Sequence, residues 1–157
     1  MAMRNYPHTF IQFATAALAT LFCYAAMSKL LNYEQSEQEM LNQVFPQSVA
    51  IVLTWLVPSV ELLVTMLLLI KTTQHIGLWV AALLLLAFSV YISVVMTGAF
   101  GRVPCSCGGI LKSMSYGTHL VFNLFFMFLA IGALILVKVD LGNKWFYAKE
   151  RRSGKID

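Results

Sequence analysis

Charge is what this chain has least of. Only 11% of its 157 residues are Asp, Glu, Lys or Arg, and 59% are hydrophobic, where a soluble domain carries roughly 25% charged residues. That deficit excludes a folded surface bathed in water on all sides. Low-complexity tracts and internal repeats are absent as well, and the length leaves room for one domain over residues 1–157 and no second. Cysteine is scarce, with three in the chain. A disulfide framework usually comes as several pairs, so three cysteines do not read as scaffolding.

What the chain has instead is long apolar runs, with a mean hydropathy of +0.75. Four of them, at about 10–31, 48–70, 76–99 and 117–138, reach about 22 residues each. At 1.5 Å per residue that is roughly 33 Å, enough to cross a bilayer with modest tilt. The pattern predicts an all-α membrane protein, a bundle of four transmembrane helices. The run from Phe10 is too long for a signal h-region of about 7–15 residues and ends without a small-x-small cleavage site, so it reads as a first span. Ser89, Ser93 and Thr97 in the third run can bond back to the helix backbone. Pro58 in the second run predicts either a kink or a late helix start.

The net charge of +4 does not point to nucleic acid, because most basic residues crowd the C-terminal end beside Trp145, Phe146 and Tyr147. Aromatics flanked by Lys and Arg mark a membrane interface. With the N-terminus cytoplasmic, Arg4, Lys71, Lys138, Lys144, Lys149, Arg151, Arg152 and Lys155 lie inside, and Lys29, Arg102 and Lys112 lie outside. Eight against three is a positive-inside bias. Both termini are expected in the cytoplasm of a bacterium, with the chain in the inner membrane and the connection before the fourth span in the periplasm. The tail from Ser153 to Asp157 reads as disordered.

In the first outer connection, Ser36 and Glu39 fit a capping box. Met40, Leu41, Val44 and Phe45 follow at helical spacing and Pro46 stops the pattern. A short amphipathic helix from Ser36 to Phe45 is expected, either re-entering the bundle or covering a site at that end.

The other outer connection holds Cys105-Ser106-Cys107-Gly108-Gly109. Two thiols separated by one residue can close into a small, strained disulfide ring. Strain raises the reduction potential and makes such a pair labile, regulatory or catalytic. Arg102 and Lys112 flank the pair, and positive charge favours the reactive thiolate. Gly101, Gly108 and Gly109 clear side chains from around it, and Pro104 restricts the approach to Cys105. An oxidising periplasm suits disulfide chemistry. A zinc site with His119 as third ligand is the competing chemistry, but structural zinc wants four ligands and wider cysteine spacing. No metal is expected. A turn holding two inert thiols is the plain structural alternative.

Inside the spans, Glu61 lies about 15 Å from the end marked by Lys71. An ionisable group at that depth should face the bundle and have a partner. Lys29 at the outer end of the first span and His119 at the outer end of the fourth are the candidates. Such a Glu either ties helices together or relays protons. His119 and Asn123 are four apart and share a helix face, where they can hydrogen-bond a quinone carbonyl or bind neighbouring helices. Cys23 reads as a small apolar filler, and Ala14, Ala17, Ala25 and Ser28 as a close-packing ridge.

Three stretches carry a resemblance: Lys29-Leu30-Leu31-Asn32-Tyr33-Glu34, Pro58-Ser59-Val60-Glu61-Leu62, and Cys105-Ser106-Cys107-Gly108-Gly109. In this order, over Phe10 to Val139, the chain resembles the MauE/DoxX family of redox-associated membrane proteins. The resemblance implies a four-helix membrane bundle that works with a periplasmic thiol-containing or thioredoxin-like protein. MauE is associated with maturation of a disulfide-rich periplasmic dehydrogenase, and DoxX-type relatives with quinone-linked thiol or sulfur oxidation. It places Cys105 and Cys107 at the family's Cys-x-Cys, and Lys29 and Glu61 at its Lys and Glu positions. The family often reads Cys-Gly-Cys-Phe-Gly, so Ser106 and Gly108 depart from it. The second cysteine pair of DsbB- and VKOR-like enzymes is missing too.

The resulting expectation is a thiol–disulfide redox protein. Cys105 and Cys107 exchange with a periplasmic partner, Glu61 and His119 manage protons, Lys29 and Asn123 serve the cofactor side, and quinone takes the electrons. The rival expectation is a non-enzymatic accessory subunit of a larger envelope complex, with the cysteine pair as a local disulfide. Four spans with so few polar interior residues offer no transport pathway.

Overall fold

Runs of more than twenty apolar residues leave the backbone no water to bond in a bilayer, so each must satisfy its own N–H and C=O groups as a helix. The computed structural model describes residues 6–43, 45–98 and 116–152, with side chains over 8–43, 45–98 and 117–139. Its described residues form five helices: α1 (Tyr6–Leu31), α2 (Tyr33–Leu41), α3 (Gln47–Leu69), α4 (Gln74–Met96) and α5 (Tyr116–Arg152). All but α2 are long and apolar enough to cross a membrane, over His8–Leu31, Gln47–Leu69, Gln74–Met96 and Gly117–Val139. The fold is the expected all-α bundle of four spans with a short extra helix in the first connection.

Packing sets the order of the spans. α1 lies mainly on α3 and α4 mainly on α5, while α3–α4 and α1–α5 contacts close the ring. The central core is rich in small residues: Ala14, Ala19, Ala81, Ala130 and Ala133 interleave with Leu18, Phe22, Val64, Leu68, Leu78, Leu85 and Leu134. In lipid no hydrophobic force separates helix from solvent, and small residues let backbones approach closely enough for dispersion to hold them. The expected ridge on α1 is therefore partly displaced. Ala14 is fully buried, whereas Ala17, Ala25 and Ser28 are only half-buried and Ala26 takes the inner position. Large apolar side chains such as Trp55, Leu63, Leu83, Phe125 and Phe128 point outward, as a lipid-facing surface requires.

Several boundaries differ from expectation for identifiable reasons. Pro58 neither delays nor ends α3. It sits buried inside the helix, where a proline ring costs one backbone bond and neighbouring helices can tolerate it. α4 ends at Met96, and Gly98, with φ of 72°, makes the left-handed turn that stops it. α5 continues well past the fourth span to Arg152. Backbones approach closely at Gly77: a Cβ there would lie 2.9 Å from the Leu67 carbonyl carbon and the Leu68 nitrogen. This permits the tight return between α3 and α4.

The capping box is a correction. Asn32, not Ser36, occupies the N-cap of α2, so Ser36 lies within the helix. The Ser36 hydroxyl donates to the Lys29 carbonyl at 3.1 Å, and Asn32 Nδ2 donates to the Ser28 carbonyl at 3.1 Å. Both bonds add to carbonyls of the last turn of α1, where the Ser28 carbonyl also accepts from the Asn32 backbone N–H at 3.3 Å. Glu39 accepts from Gln35 Nε2 at 2.9 Å instead of reaching back to a cap. With a single residue between α1 and α2, the chain has no room for the longer lead-in that a Ser36 cap needs.

Candidate functional site

The site begins with an ion pair between α1 and α3. Lys29 Nζ donates to Glu61 Oε1 at 2.7 Å and to Oε2 at 3.0 Å, and also approaches the Ala25 carbonyl at 3.4 Å. Glu61 is 3% exposed. Its partner is thus Lys29 and not His119. The lysine stem reaches inward from the end of α1 to a carboxylate in the middle of α3, which is how a long apolar stem brings a cation to a buried anion.

Beside this pair lies a cavity of about 270 Å³. Helical periodicity explains its walls. Leu53, Val57 and Glu61 recur every four residues on α3, Leu21, Ala25 and Lys29 do the same on α1, and Leu85, Phe88 and Ile92 line it from α4. From α5 come His119, Phe122 and Asn123. The expected shared face of His119 and Asn123 therefore turns into the bundle. They are 8% and 6% exposed. Neither side chain has a hydrogen-bond partner among the described residues. No described side-chain nitrogen or oxygen is both sealed from solvent and unpaired, so the polar atoms of His119 and Asn123 open onto the cavity.

One end is covered by the close of α2 and the segment that links it to α3. Met40 of α2 and Gln43 and Phe45 of the link line the cavity there. Tyr91 of α4 donates its hydroxyl to Gln43 Oε1, and its ring stacks on Phe45 at 5.7 Å between centroids. Gln43 is buried although α2 itself has no buried residue. A second ring contact, Tyr33 to Trp55 at 4.9 Å, ties α2 to α3. Phe45 belongs to the stretch expected to re-enter the bundle or cover a site, whereas Gln43 and Tyr91 were not singled out from the sequence. The only local signal was Phe45, at the close of the helical apolar pattern that Pro46 stops; nothing in the sequence around Gln43 or Tyr91 marks them as facing a site.

Lys29, Glu61, His119 and Asn123 are thus brought together around one cavity. Cys105, Cys107, Arg102, Lys112 and the glycines around them lie outside the described residues, as does the tail from Ser153. Cys23 carries a free thiol, half-buried and away from the cavity walls. Chemically, the cavity offers apolar and aromatic walls, one internally neutralised charge pair, and two polar side chains able to bond a guest. Those properties suit a guest with an apolar body and a few hydrogen-bonding groups.

No curated protein and no solved structure matches the chain. Residues 7–136 match the family described as methylamine utilisation protein MauE. That match covers most of the chain, which therefore belongs to the MauE family.

Proposed function

We propose that this member of the MauE family is an inner-membrane thiol–disulfide redox protein, which moves electrons from a periplasmic partner protein to the membrane quinone pool. The observation that supports this most is the grouping of Lys29–Glu61, His119 and Asn123 around one apolar cavity. Buried ionisable groups in a membrane bundle are expensive and are kept for function.

In this reading, a partner thiolate attacks the Cys105–Cys107 disulfide and forms a mixed disulfide. The partner's second thiol then resolves it, leaving the partner oxidised and Cys105 and Cys107 as two thiols. A quinone held beside His119 and Asn123 would supply the oxidising power for the return step, taking the two electrons and two protons released as Cys105 and Cys107 re-form their disulfide. Arg102 and Lys112 favour the thiolate form of the pair. His119 delivers protons toward the cavity, the Glu61 carboxylate accepts or releases one beside Lys29, and Asn123 orients the guest. The positive-inside bias supports a periplasmic side for the cysteine pair, where a disulfide persists.

Maleimide gel-shift labelling of membranes, with and without prior reduction, tests the redox role of the pair. Cys105 and Cys107 should be protected before reduction and labelled after it. Thiols that label fully without reductant would contradict the reading. Single Cys105→Ser and Cys107→Ser variants should differ, one of them trapping a partner in a reductant-sensitive adduct.

A second reading, an accessory subunit of a larger envelope complex, is favoured by α2, which lies on the bundle without a buried residue. Here the cysteine pair is a local disulfide. Replacing both cysteines with serine would then leave assembly and function intact, and changes on α2 would abolish association.

A further inference from the structure

We propose that the cavity beside the Lys29–Glu61 pair is the seat of the quinone ring, and that it selects neutral, carbonyl-bearing rings over charged lipids. The inference rests on the redox reading above for the redox class of the guest, and on the cavity itself for its charge and shape.

Charge comes first. The two ionised groups in the wall are bonded to each other through both carboxylate oxygens at 2.7 and 3.0 Å. An anionic guest such as a fatty acid would have to draw Lys29 away from Glu61. That would leave a buried carboxylate without its counter-ion, a state more costly than the pair it replaces. A cation meets the mirror-image problem. Among the described residues no group of three His, Cys, Asp or Glu side chains is placed to hold a metal ion. A neutral guest leaves the pair intact.

Polarity comes second. His119 and Asn123 are more than nine-tenths buried, line the cavity, and lack a hydrogen-bond partner among the described residues. A hydrocarbon guest would leave both polar groups unmet, and an unmet buried polar group costs about 1–3 kcal/mol. An Asn amide donates to a carbonyl oxygen, and an imidazole either donates or accepts. A carbonyl-bearing ring satisfies both, and so does its hydroxyl-bearing reduced form.

Size comes third. The volume of about 270 Å³ falls just below the roughly 300–1,000 Å³ of pockets for drug-sized ligands. One ring system with short substituents fits, and a long tail must lie outside. Phe88, Phe122 and Tyr91 in the walls offer flat faces for such a ring.

Binding of decylubiquinone to the purified full-length chain in nanodiscs, measured by calorimetry with palmitate as the anionic comparison, tests this. Saturable binding of decylubiquinone is expected, with palmitate at least tenfold weaker. Asn123→Leu, which keeps the packing volume, and His119→Ala should each weaken decylubiquinone binding tenfold or more. Phe125→Ala, on the outer face of α5, should leave it unchanged. Thermal unfolding of each variant verifies the fold, and an azido-quinone photolabel, mapped by mass spectrometry to Phe122 or its neighbours, locates the ring without any substitution. Equal affinity for palmitate, or labelling confined to the outer faces, would overturn the proposal. Failure to bind while Cys105 and Cys107 still cycle would remove this site and leave the redox reading standing. Binding as described with cysteines that never cycle would keep the site and remove the redox reading.

Discussion

Lys29 and Glu61, thirty-two positions apart in sequence, form a two-pronged ion pair across the α1–α3 contact, with Nζ 2.7 and 3.0 Å from the two carboxylate oxygens. The pair joins the helices that pack most extensively against each other and forms one wall of the cavity. Removing one partner and removing both should therefore differ in effect.

Lys29→Met should destabilise the bundle by about 3–5 kcal/mol, because it strands a buried carboxylate. The double variant Lys29→Met with Glu61→Met should recover most of that loss, since two apolar side chains of similar length need no counter-ion. Reversible unfolding in mixed micelles measures both. A double variant as unstable as the single one would show that the pair is held by more than charge compensation.

Gly77→Ala should cost about 1–3 kcal/mol by overpacking. The added methyl would lie 2.9 Å from backbone atoms of Leu67 and Leu68, and backbone in two paired helices cannot yield as a side-chain tip can. The check is a lowered unfolding temperature, set beside Gly117→Ala, where a Cβ meets nothing within 4 Å.

Tyr91→Phe keeps the stack on Phe45 but removes the hydroxyl that donates to Gln43. Loss of one such bond is worth about 0.5–1.5 kcal/mol, and the effect should be local. Hydrogen exchange over Met40 to Phe45 should accelerate several-fold while α4 and α5 stay unchanged. Adding Phe45→Ala to Tyr91→Phe should accelerate it further, because the ring contact then goes as well.

Thr15→Val should weaken the opposite end of the bundle. Gln74 Nε2 donates to the Thr15 hydroxyl at 2.8 Å, and that hydroxyl donates to the Ile11 carbonyl at 2.7 Å. A loss of about 0.5–1.5 kcal/mol is expected, read by thermal unfolding, with quinone binding unaffected.

The spans were legible because a run of apolar residues in lipid has few structures open to it. The Lys29–Glu61 pair was legible for a related reason: a carboxylate at that depth must find a cation, and few were in reach. Ser36 shows where such reasoning fails. Its hydroxyl serves equally well as a cap for α2 or as a donor to the end of α1, and only the one-residue turn at Asn32 decides. The cavity walls were hidden for another reason. Phe22, Phe88 and Leu85 look like the residues on every other face of their helices, so no period separates wall from lipid face. Gln43 and Tyr91 meet across 48 positions through a tertiary contact that no local pattern encodes.

The most direct measurement is quinone-dependent reoxidation of the cysteine pair. Purified protein is reduced, freed of reductant without air, and given decylubiquinone, whose fully substituted ring does not add thiols. Remaining thiols are counted by mass-tag gel shift. Cys105 and Cys107 should be lost together, one pair for each quinone reduced, with Cys23 still titratable and with Asn123→Leu slowing the loss at least tenfold. Thiols that persist in the presence of quinone, or that disappear equally fast without it, would contradict the thiol-to-quinone function.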